Sequence, residues 1–246
     1  METIELESRP LPLRPEATLE GGPGDGLRDG AGCHPTQPWE RTREDWESLT
    51  PRGLYARVLR APFLFAATLV LVPVALCLAL PVALVNLWVQ RSPRLVFFAQ
   101  PRVGWRGRTF TLYKFRTMRE QPGDDHARVT RFGRFLRNTH FDELPQLWNV
   151  LAGDMRLIGP RPEMLATERW AALHCPGFSE RLALKPGLTG YAQITQGYTD
   201  GGDPAAYRVK HALNRRYRRA LGWRLDCVIL LCTALWMLRG RGWRRR

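Results

Sequence analysis

A run of 29 residues without a charged side chain, from Ala61 to Val89, constrains this chain more than any other feature of its sequence. One helix of that length is long enough to cross the hydrocarbon core of a bilayer, which is about 30 Å thick. The run therefore predicts a helix that lies inside a membrane.

Two features of this run favour a segment that enters the membrane and returns. Pro73 and Pro81 lie well inside it, and a proline removes a backbone N–H and kinks a helix. Arg52, Arg57 and Arg60 precede the run, and five further arginines follow it. Because Lys and Arg collect on the cytoplasmic side, basic flanks on both sides favour a re-entrant hairpin. A single spanning helix with a proline kink stays open.

The net charge of +14 in this 246-residue chain is unevenly distributed. Residues 1–50 carry five arginines and eleven acidic side chains, whereas the other 196 residues carry 32 basic and 12 acidic ones. A region as basic as these 196 residues is expected to bind an anionic partner. Nucleic acid, anionic lipid headgroups and phosphate-bearing substrates all meet that description.

The chain divides into three predicted segments. Residues 1–50 form a disordered arm, because prolines and a glycine-rich run at 21–26 interrupt any periodicity. Residues 51–94 form the membrane anchor, and residues 95–246 form the remaining domain. We assign no chemistry to the arm.

The elements of the third segment are mostly helical. "LVFFAQ" and "TFTLYKF" predict a short strand pair. The other segments predict helices at 128–152, 163–173 and 205–219, a loop at 154–162, a loop or strand at 185–193, and an interfacial or core helix at 228–238. The predicted fold class is α/β: a mainly helical, membrane-associated domain with a short β element, anchored by a re-entrant membrane helix hairpin.

Asp142 and Glu143 form an adjacent carboxylate pair. Arg131, Arg134 and Arg137 precede it at three-residue steps, which places a basic edge on one helix face. Phosphoryl transfer needs cations around the phosphate oxygens, usually including a divalent metal, and a carboxylate can be the nucleophile. The pair alone favours an ordinary solvated charge cluster, because most charge clusters are solvated surfaces.

Three short motifs offer further cations. Prolines on both sides of Arg161 stiffen the backbone, and a rigid guanidinium suits bidentate phosphate binding. Lys114 and Arg116 share one face of a predicted strand. The segment from Lys185 to Gly190 offers backbone N–H groups but lacks the P-loop spacing. Taken singly, each motif is also explained as a turn or an amphipathic edge strand.

In this order the motifs resemble the bacterial sugar transferase family, the monotopic phosphoglycosyl transferases. The matching stretches are "FFAQPRVGWRGRTFTLYKFRTM" (97–118), "RVTRFGRFLRNTHFDELPQLWNVLAGDMRLIGPRP" (128–162) and "KPGLTGYAQI" (185–194), with a weaker match from Tyr217 to Thr233. The resemblance covers roughly residues 57–238.

The resemblance implies an enzyme that moves a sugar-1-phosphate from a UDP-sugar to polyprenyl (undecaprenyl) phosphate. It implies an aspartyl-phosphosugar intermediate, release of UMP, a requirement for Mg²⁺, and initiation of a lipid-linked glycan or exopolysaccharide. By position, Asp142 is the nucleophile, Glu143 assists, and both hold the metal. The same matching places six residues around the diphosphate and uridine: Lys114, Arg116, Arg137, Gln146, Arg161 and Lys185.

The resemblance also implies a location and partners. The anchor is a re-entrant hairpin in the bacterial inner membrane, with the catalytic domain on the cytoplasmic face. The expected partners are the membrane, both substrates and downstream glycosyltransferases, without nucleic acid. The rival hypothesis is a non-catalytic basic membrane adaptor that binds anionic lipid or nucleic acid. An adaptor needs distributed charge rather than an acidic pair beside a rigid Pro-Arg-Pro loop.

Three positions depart from the family pattern. Leu80 precedes Pro81 where the family commonly has Ser-Pro, Asn214 replaces a usual Asp, and His140 replaces a usual Ser. These departures affect the geometry of the anchor and the docking of the acceptor, and they leave Asp142 and Glu143 in place.

Overall fold

The computed structural model describes residues 37–120, 125–197 and 202–238. Its helices and strands are, in chain order, α1 (Arg43–Leu49), α2 (Arg60–Gln90), β1 (Phe97–Val103), β2 (Thr109–Phe115), α3 (Asp125–Arg128), α4 (Arg131–Thr139), α5 (Gln146–Leu151), β3 (Arg156–Ile158), α6 (Leu165–His174), β4 (Gly187–Thr189), α7 (Tyr191–Gln196), α8 (Pro204–Arg219) and α9 (Trp223–Leu238). A π-helical turn spans Tyr55–Leu59, and 3₁₀ turns span Pro93–Leu95, Trp105–Gly107, Phe141–Glu143 and Phe178–Ala183. The described chain is mostly helical, as predicted, and it contains two small sheets, of which the sequence predicted one.

The uncharged run forms one continuous helix. Together with the preceding π turn it covers Tyr55–Gln90, which is the one helix in the described ranges that is long and apolar enough to cross a membrane. Pro73 and Pro81 both lie on its exposed face, so the hydrogen bonds they remove do not disturb the packed face. The two-armed hairpin predicted from the sequence is not seen in this helix.

One stripe of α2 packs against the rest of the chain along the whole length of the helix. The buried positions follow one another at steps of four or seven residues, which keeps them on one face. They are Arg60, Leu64, Thr68, Ala75, Val82 and Asn86. The opposite face carries exposed apolar side chains such as Val70, Leu80 and Trp88.

Hydrogen bonds attach both ends of α2 to the packed part of the chain that follows it. At the start, the Arg60 guanidinium donates to Asp226 (2.9 Å) and to the Ile158 carbonyl oxygen (2.8 Å). Near the end, the Asn86 amide donates to the carbonyl oxygens of Val96 (2.8 Å) and Arg116 (3.1 Å). The helix therefore lies along the packed part of the chain that follows it, and hydrogen bonds hold it near both of its ends.

The chain before residue 50 is partly ordered. A reciprocal capping box between Thr42 and Asp45 starts α1. Trp39 and Trp46 are 4% exposed and pack against Val103. The predicted disordered arm therefore does not extend to residue 50, because these two indoles join the core. Its residues 1–36 lie outside the described residues.

The two sheets are both two-stranded. β1 and β2 pair antiparallel from Phe97 opposite Phe115 to Val103 opposite Thr109, which confirms the predicted strand pair. β3 and β4 pair parallel. β3 lies inside the segment expected to be a loop at 154–162, because three residues are too few to show periodicity and the partner strand is distant in sequence.

Candidate active site

The carboxylate pair lies on a tight turn between two helices. The side chain of Thr130 accepts from the Gly133 N–H (2.8 Å) and caps α4. A Cβ at Gly133 would lie 2.0 Å from the Thr117 carbonyl oxygen, so only glycine lets α4 pack this closely on the chain after β2. His140 ends α4 in the left-handed conformation (φ 59°), and the 3₁₀ turn with Asp142 and Glu143 follows.

Two cations meet the carboxylate pair. Lys114 on β2 places Nζ 2.6 Å from Glu143 Oε1 and 3.8 Å from Asp142 Oδ2. Arg161 places Nη2 3.0 Å from the same Glu143 oxygen. The side chains of Asp142 and Glu143 are only 11% and 9% exposed. This burial excludes the interpretation of the pair as a solvated charge cluster.

The pKa values of the two carboxyl groups move in opposite directions. Burial raises the pKa of Asp142 to about 6, against the opposing charge of Lys114. Burial also raises the pKa of Glu143, but Arg161 and Lys114 lower it by more, so its net shift is downward. Glu143 is thus held as a carboxylate by two cations, while Asp142 is the less strongly neutralised of the two.

The loop that carries Arg161 is held by backbone hydrogen bonds between the strands of the parallel sheet. The Gly159 N–H donates to the Thr189 carbonyl oxygen (2.9 Å), and the Gly187 N–H donates to the Pro160 carbonyl oxygen (2.9 Å). Arg181 Nη1 donates to the carbonyl oxygen of Arg161 itself (3.0 Å). The rigid placement predicted from the two prolines is therefore reinforced by this sheet.

The structure brings some of the predicted site residues to the pair and not others. Lys114 and Arg161 contact it directly. Arg137 Nε donates to Thr117 Oγ1 (2.8 Å), and the guanidinium of Arg116 lies over the Phe98 ring (5.7 Å). Gln146 begins α5 and is 2% exposed, and its Nε2 has no hydrogen-bond partner among the described residues.

Lys185 lies away from the pair. Its Nζ donates to the Gly153 carbonyl oxygen (2.7 Å) and lies 5.6 Å from the Trp105 ring centroid. It lines a cavity of about 350 Å³ together with Arg156 and the start of α2. The glycines that follow Lys185 serve the close approach of β4 to β3, since a Cβ at Gly187 would lie 1.9 Å from the Gly159 nitrogen.

A cavity of about 550 Å³, which we call the dyad cavity, is lined in part by Glu143 and Arg161. Its walls come from α2, α7 and α9, and are mostly apolar. Glu163 and Lys210 also line it, with Lys210 Nζ 2.5 Å from Glu163 Oε1.

The sequence interpretation missed this second acid–base pair, because α8 meets the loop only in the folded chain. The sequence nevertheless contains a pattern that indicates the buried face of α8. Its buried side chains recur at steps of three and four residues: Tyr207, Lys210, Asn214 and Tyr217. The same spacing identifies the inward face of the basic helix.

The acidic side chains of the site can supply only some of the ligands that a metal ion needs. No group of three or more His, Cys, Asp or Glu side chains that could hold an ion occurs within 37–120, 125–197 and 202–238. Asp142 and Glu143 supply hard carboxylate oxygens, and Mg²⁺ is usually held by one or two carboxylates together with substrate phosphates and water. The pair therefore fits a magnesium ion that arrives with a phosphate-bearing substrate.

Comparison with known proteins places the chain among sugar transferases. A family model described as bacterial sugar transferase matches residues 55–240. The chain is 36% identical over 203 residues to the UDP-N-acetylgalactosamine-undecaprenyl-phosphate N-acetylgalactosaminephosphotransferase of Aeromonas hydrophila, which covers 79% of this chain and 47% of that protein. It is 39% identical over 198 residues to the UDP-glucose:undecaprenyl-phosphate glucose-1-phosphate transferase of Escherichia coli (strain K12), which covers 75% and 41%.

A third relative is matched over most of its own length. The exopolysaccharide production protein PSS of Rhizobium leguminosarum bv. phaseoli is 36% identical over 192 residues, which cover 72% of this chain and 92% of that protein. By contrast, the chain spans less than half the length of the first two relatives. The family match includes α2, the carboxylate pair and the Arg161 loop, and the chain therefore belongs to the bacterial sugar transferase family.

Proposed function

We propose that this chain transfers a sugar-1-phosphate from a UDP-sugar to polyprenyl phosphate and so begins a lipid-linked glycan, such as an exopolysaccharide. The observation that carries the proposal is the buried Asp142–Glu143 pair: Lys114 contacts both carboxylates, and Glu143, which Arg161 also binds, lines a mostly apolar cavity. The printed names of the relatives, which act on UDP-sugars and undecaprenyl phosphate, support both substrates.

In the first step, a carboxylate oxygen of Asp142 attacks the β-phosphorus of the UDP-sugar. A bond forms between that oxygen and the phosphorus, and the bond to the oxygen that bridges the two phosphates breaks. UMP leaves with the electron pair, and an aspartyl phosphosugar remains. Of the two carboxylates, Asp142 suits this role because Lys114 lies 3.8 Å from it, whereas Lys114 and Arg161 bind Glu143 at 2.6 and 3.0 Å.

In the second step, a phosphate oxygen of the polyprenyl phosphate attacks the same phosphorus. The bond to Asp142 breaks, the carboxylate is regenerated, and a polyprenyl diphosphate-sugar leaves. Arg161 and Lys114 serve both steps, because each step spreads negative charge over the same phosphate oxygens. Glu143 orients these two cations and so keeps the site assembled between steps.

The remaining residues predicted from the family motifs take different places in the proposal. Arg116, Arg137 and Gln146 lie on elements that adjoin the carboxylate pair, and we keep them as contacts of the donor. The unpartnered amide nitrogen of Gln146 is suited to donate to a ligand oxygen. The contact of Lys185 with the donor stays a prediction, and in this structure its ammonium group donates to the Gly153 carbonyl oxygen.

Magnesium belongs to the same proposal. Asp142 and Glu143 would hold it together with the diphosphate. Bound there, the ion would neutralise part of the charge on the diphosphate. The residues of the chain do the rest, since Lys114 and Arg161 position the phosphates and the burial of the pair excludes water.

We further propose that α2 anchors the chain in the bacterial inner membrane with both of its ends on the cytoplasmic side. The support is that Arg60 and Asn86, near opposite ends of the helix, are hydrogen-bonded to one body. A simple crossing would bury the part of the chain that packs along the whole helix, with its charged side chains, in the hydrocarbon core of the bilayer. The active site would then face the cytoplasm, where UDP-sugars and later glycosyltransferases are found.

The test is release of UMP from a panel of UDP-sugars in the presence of polyprenyl phosphate and Mg²⁺. We expect UMP to appear with at least one sugar, to depend on the acceptor for sustained turnover, and to stop on chelation. A basic membrane adaptor would release no UMP with any donor, so absence of UMP across the panel would contradict the proposed function.

A further inference from the structure

The dyad cavity is divided between apolar walls and a charged end. Its walls include Ala67 and Val70 from α2, Ile194 from α7, and Leu230 and Met237 from α9. Its charged end collects four side chains: Glu143, Arg161, Glu163 and Lys210. Its volume of about 550 Å³ lies within the range of roughly 300–1,000 Å³ that is usual for ligand pockets. A ligand that fills it must be apolar over most of its length and charged at one end.

The apolar part of the cavity meets the lipid-facing side of the anchor helix. Val70 lines the cavity and is itself 74% exposed, and Met237 lines it and is 38% exposed. Val70 belongs to the same outward-facing set as the exposed Leu69 and Val74. A ligand dissolved in the membrane therefore reaches the cavity without passing through water.

The charged end offers cations from two different elements. Arg161 lies on the loop after β3, and Lys210 lies on α8. Glu163, two residues after Arg161, binds Lys210 and so fixes the ammonium group beside the loop. Burying such an ion pair gains little stability, because the loss of solvation offsets the attraction. Its position in the cavity wall indicates a role toward a bound anion.

We propose that the dyad cavity is the acceptor site: the first isoprene units of the polyprenyl phosphate lie against its apolar walls, and the phosphate lies between Arg161 and Lys210. This proposal rests on the proposed function and deepens it by naming the acceptor's place. It also assigns Lys210 and Glu163 a part in binding the acceptor. The acceptor phosphate would approach the phosphorus attached to Asp142 from the cavity side.

A comparison surface lies on the same helix. An apolar groove of about 550 Å³, which we call the strand groove, runs between α2, the β1–β2 sheet and α5. Ala79, Phe97 and Trp148 line it, and no charged residue does. The strand groove thus matches the dyad cavity in size and in contact with α2, but lacks a charged end.

The direct test is photo-crosslinking with a short polyprenyl phosphate that carries a diazirine in its first isoprene units. The full chain in lipid nanodiscs is irradiated without any UDP-sugar, and labelled peptides are mapped by mass spectrometry. We expect labels in the segments 188–197 and 230–237, which unlabelled polyprenyl phosphate competes away. Labels confined to the strand groove, or labels that the phosphate does not compete away, would overturn the proposal. Because no transfer is needed, this result is independent of whether the proposed reaction occurs.

A matched pair of variants supplies the second test. Ala67 and Ala79 are both half-buried alanines on α2, one lining the dyad cavity and the other the strand groove. A67F should reduce competed labelling, and raise the KM for the acceptor, by about tenfold, because the added ring occupies space that the acceptor needs. A79F should change either quantity by less than about twofold on the same scale.

A second variant, at an exposed position, keeps the test valid even if A67F misfolds. Ala234 on α9 lines the dyad cavity and is exposed, so A234F adds bulk to the cavity without disturbing the packed core. It should reduce labelling in the same direction as A67F. If A234F folds and labels as the unaltered chain does, or if A79F matches A67F, the acceptor does not bind in this cavity.

Discussion

At the scale of single residues, the account depends on Asp142 being ionised when it attacks. Burial raises the pKa of its carboxyl group to about 6. Below that pH the group is mostly protonated and lacks a charge, and above it the group is mostly ionised. We therefore expect UMP release in a single turnover to rise about tenfold from about pH 5 to about pH 7. Rapid-quench measurement at UDP-sugar concentrations far below saturation, where the rate reports the free enzyme, checks this.

Lys114 supplies the control for this pH profile. Its positive charge opposes the rise in the pKa of Asp142. In Lys114→Gln the midpoint of the profile should therefore move to higher pH, although the rate at its plateau falls as well. A rate that is flat between these pH values in the unaltered chain would show that ionisation of Asp142 does not limit the first step.

A second residue-scale prediction concerns Arg181, which is 3% exposed. It forms an ion pair with the fully buried Glu168 and donates to the Arg161 carbonyl oxygen. Arg181→Ala leaves the charge of Glu168 buried and unpaired, which costs about 3–5 kcal/mol. We expect Tm to fall by roughly 10 °C, measured by thermal unfolding in detergent.

A double variant separates stability from positioning. Arg181→Met combined with Glu168→Met replaces the ion pair by apolar side chains, and it should recover most of the lost Tm. The Arg161 carbonyl oxygen still lacks its donor, so kcat for UMP release should stay lowered, by about tenfold. If the double variant recovers full kcat, Arg181 serves the stability of the fold alone and does not position Arg161.

The residues differ in how far the sequence allowed their prediction. Asp142, Glu143, Lys114 and Arg161 lie inside motifs with local meaning, and the structure brings all four together. The Glu163–Lys210 pair was missed, because a contact between a loop and a distant helix leaves no local pattern. Lys185 lies in an equally clear motif, but the glycines there serve strand pairing.

At the scale of elements, α1 shows how much the region before residue 50 contributes. Trp46 is 4% exposed and packs with Val103 and Leu182. Trp46→Ala should cost about 3–5 kcal/mol, because it removes a buried indole from this core. Thermal unfolding checks the loss, and Trp223→Ala, at a position that is 57% exposed, is the matched control with little expected change.

Truncation extends the same prediction. Deleting residues 1–36 should leave transferase activity within a few-fold, whereas deleting residues 1–50 should lower Tm as Trp46→Ala does, because Trp39 and Trp46 are lost. Equal Tm values for the two truncations would contradict a structural role for α1.

The membrane topology of α2 is also a prediction at this scale. Leu54 and Arg94 flank the helix and are exposed. In a background without other cysteines, Leu54→Cys and Arg94→Cys should both resist a membrane-impermeant thiol reagent added from the periplasm. Both should react once the membrane is permeabilised. Reaction of only one of them from the periplasm would show that α2 crosses the bilayer.

The helix also shows where sequence reasoning about elements stops. Its length, its apolar character and its two prolines are explicit in the sequence, and they correctly predict a helix that is long and apolar enough to cross a membrane. Whether the prolines break the helix depends on what holds the residues around them. Here the packed stripe from Arg60 to Asn86 keeps the segment as one helix, and such packing has no local signature.

At the scale of the whole molecule, three distant parts of the chain build one site. The anchor helix α2, the helices α7 and α9 and the turn with Asp142 and Glu143 all contribute to the wall of the dyad cavity. In the proposed reaction, a lipid-linked acceptor and a water-soluble donor meet at this site. The sequence predicted the long apolar helix and the carboxylate pair, but the cavity between them exists only in the folded chain.

The central claim is that Asp142 carries the phosphosugar between the two substrates, and intact-protein mass spectrometry tests it most directly. The chain is incubated with a UDP-sugar and Mg²⁺, without polyprenyl phosphate. The unaltered protein should gain the mass of one sugar phosphate, Asp142→Asn should gain none, and Glu143→Gln should gain it more slowly. The added mass should disappear when polyprenyl phosphate is supplied. An adduct of undiminished yield on Asp142→Asn would contradict the account.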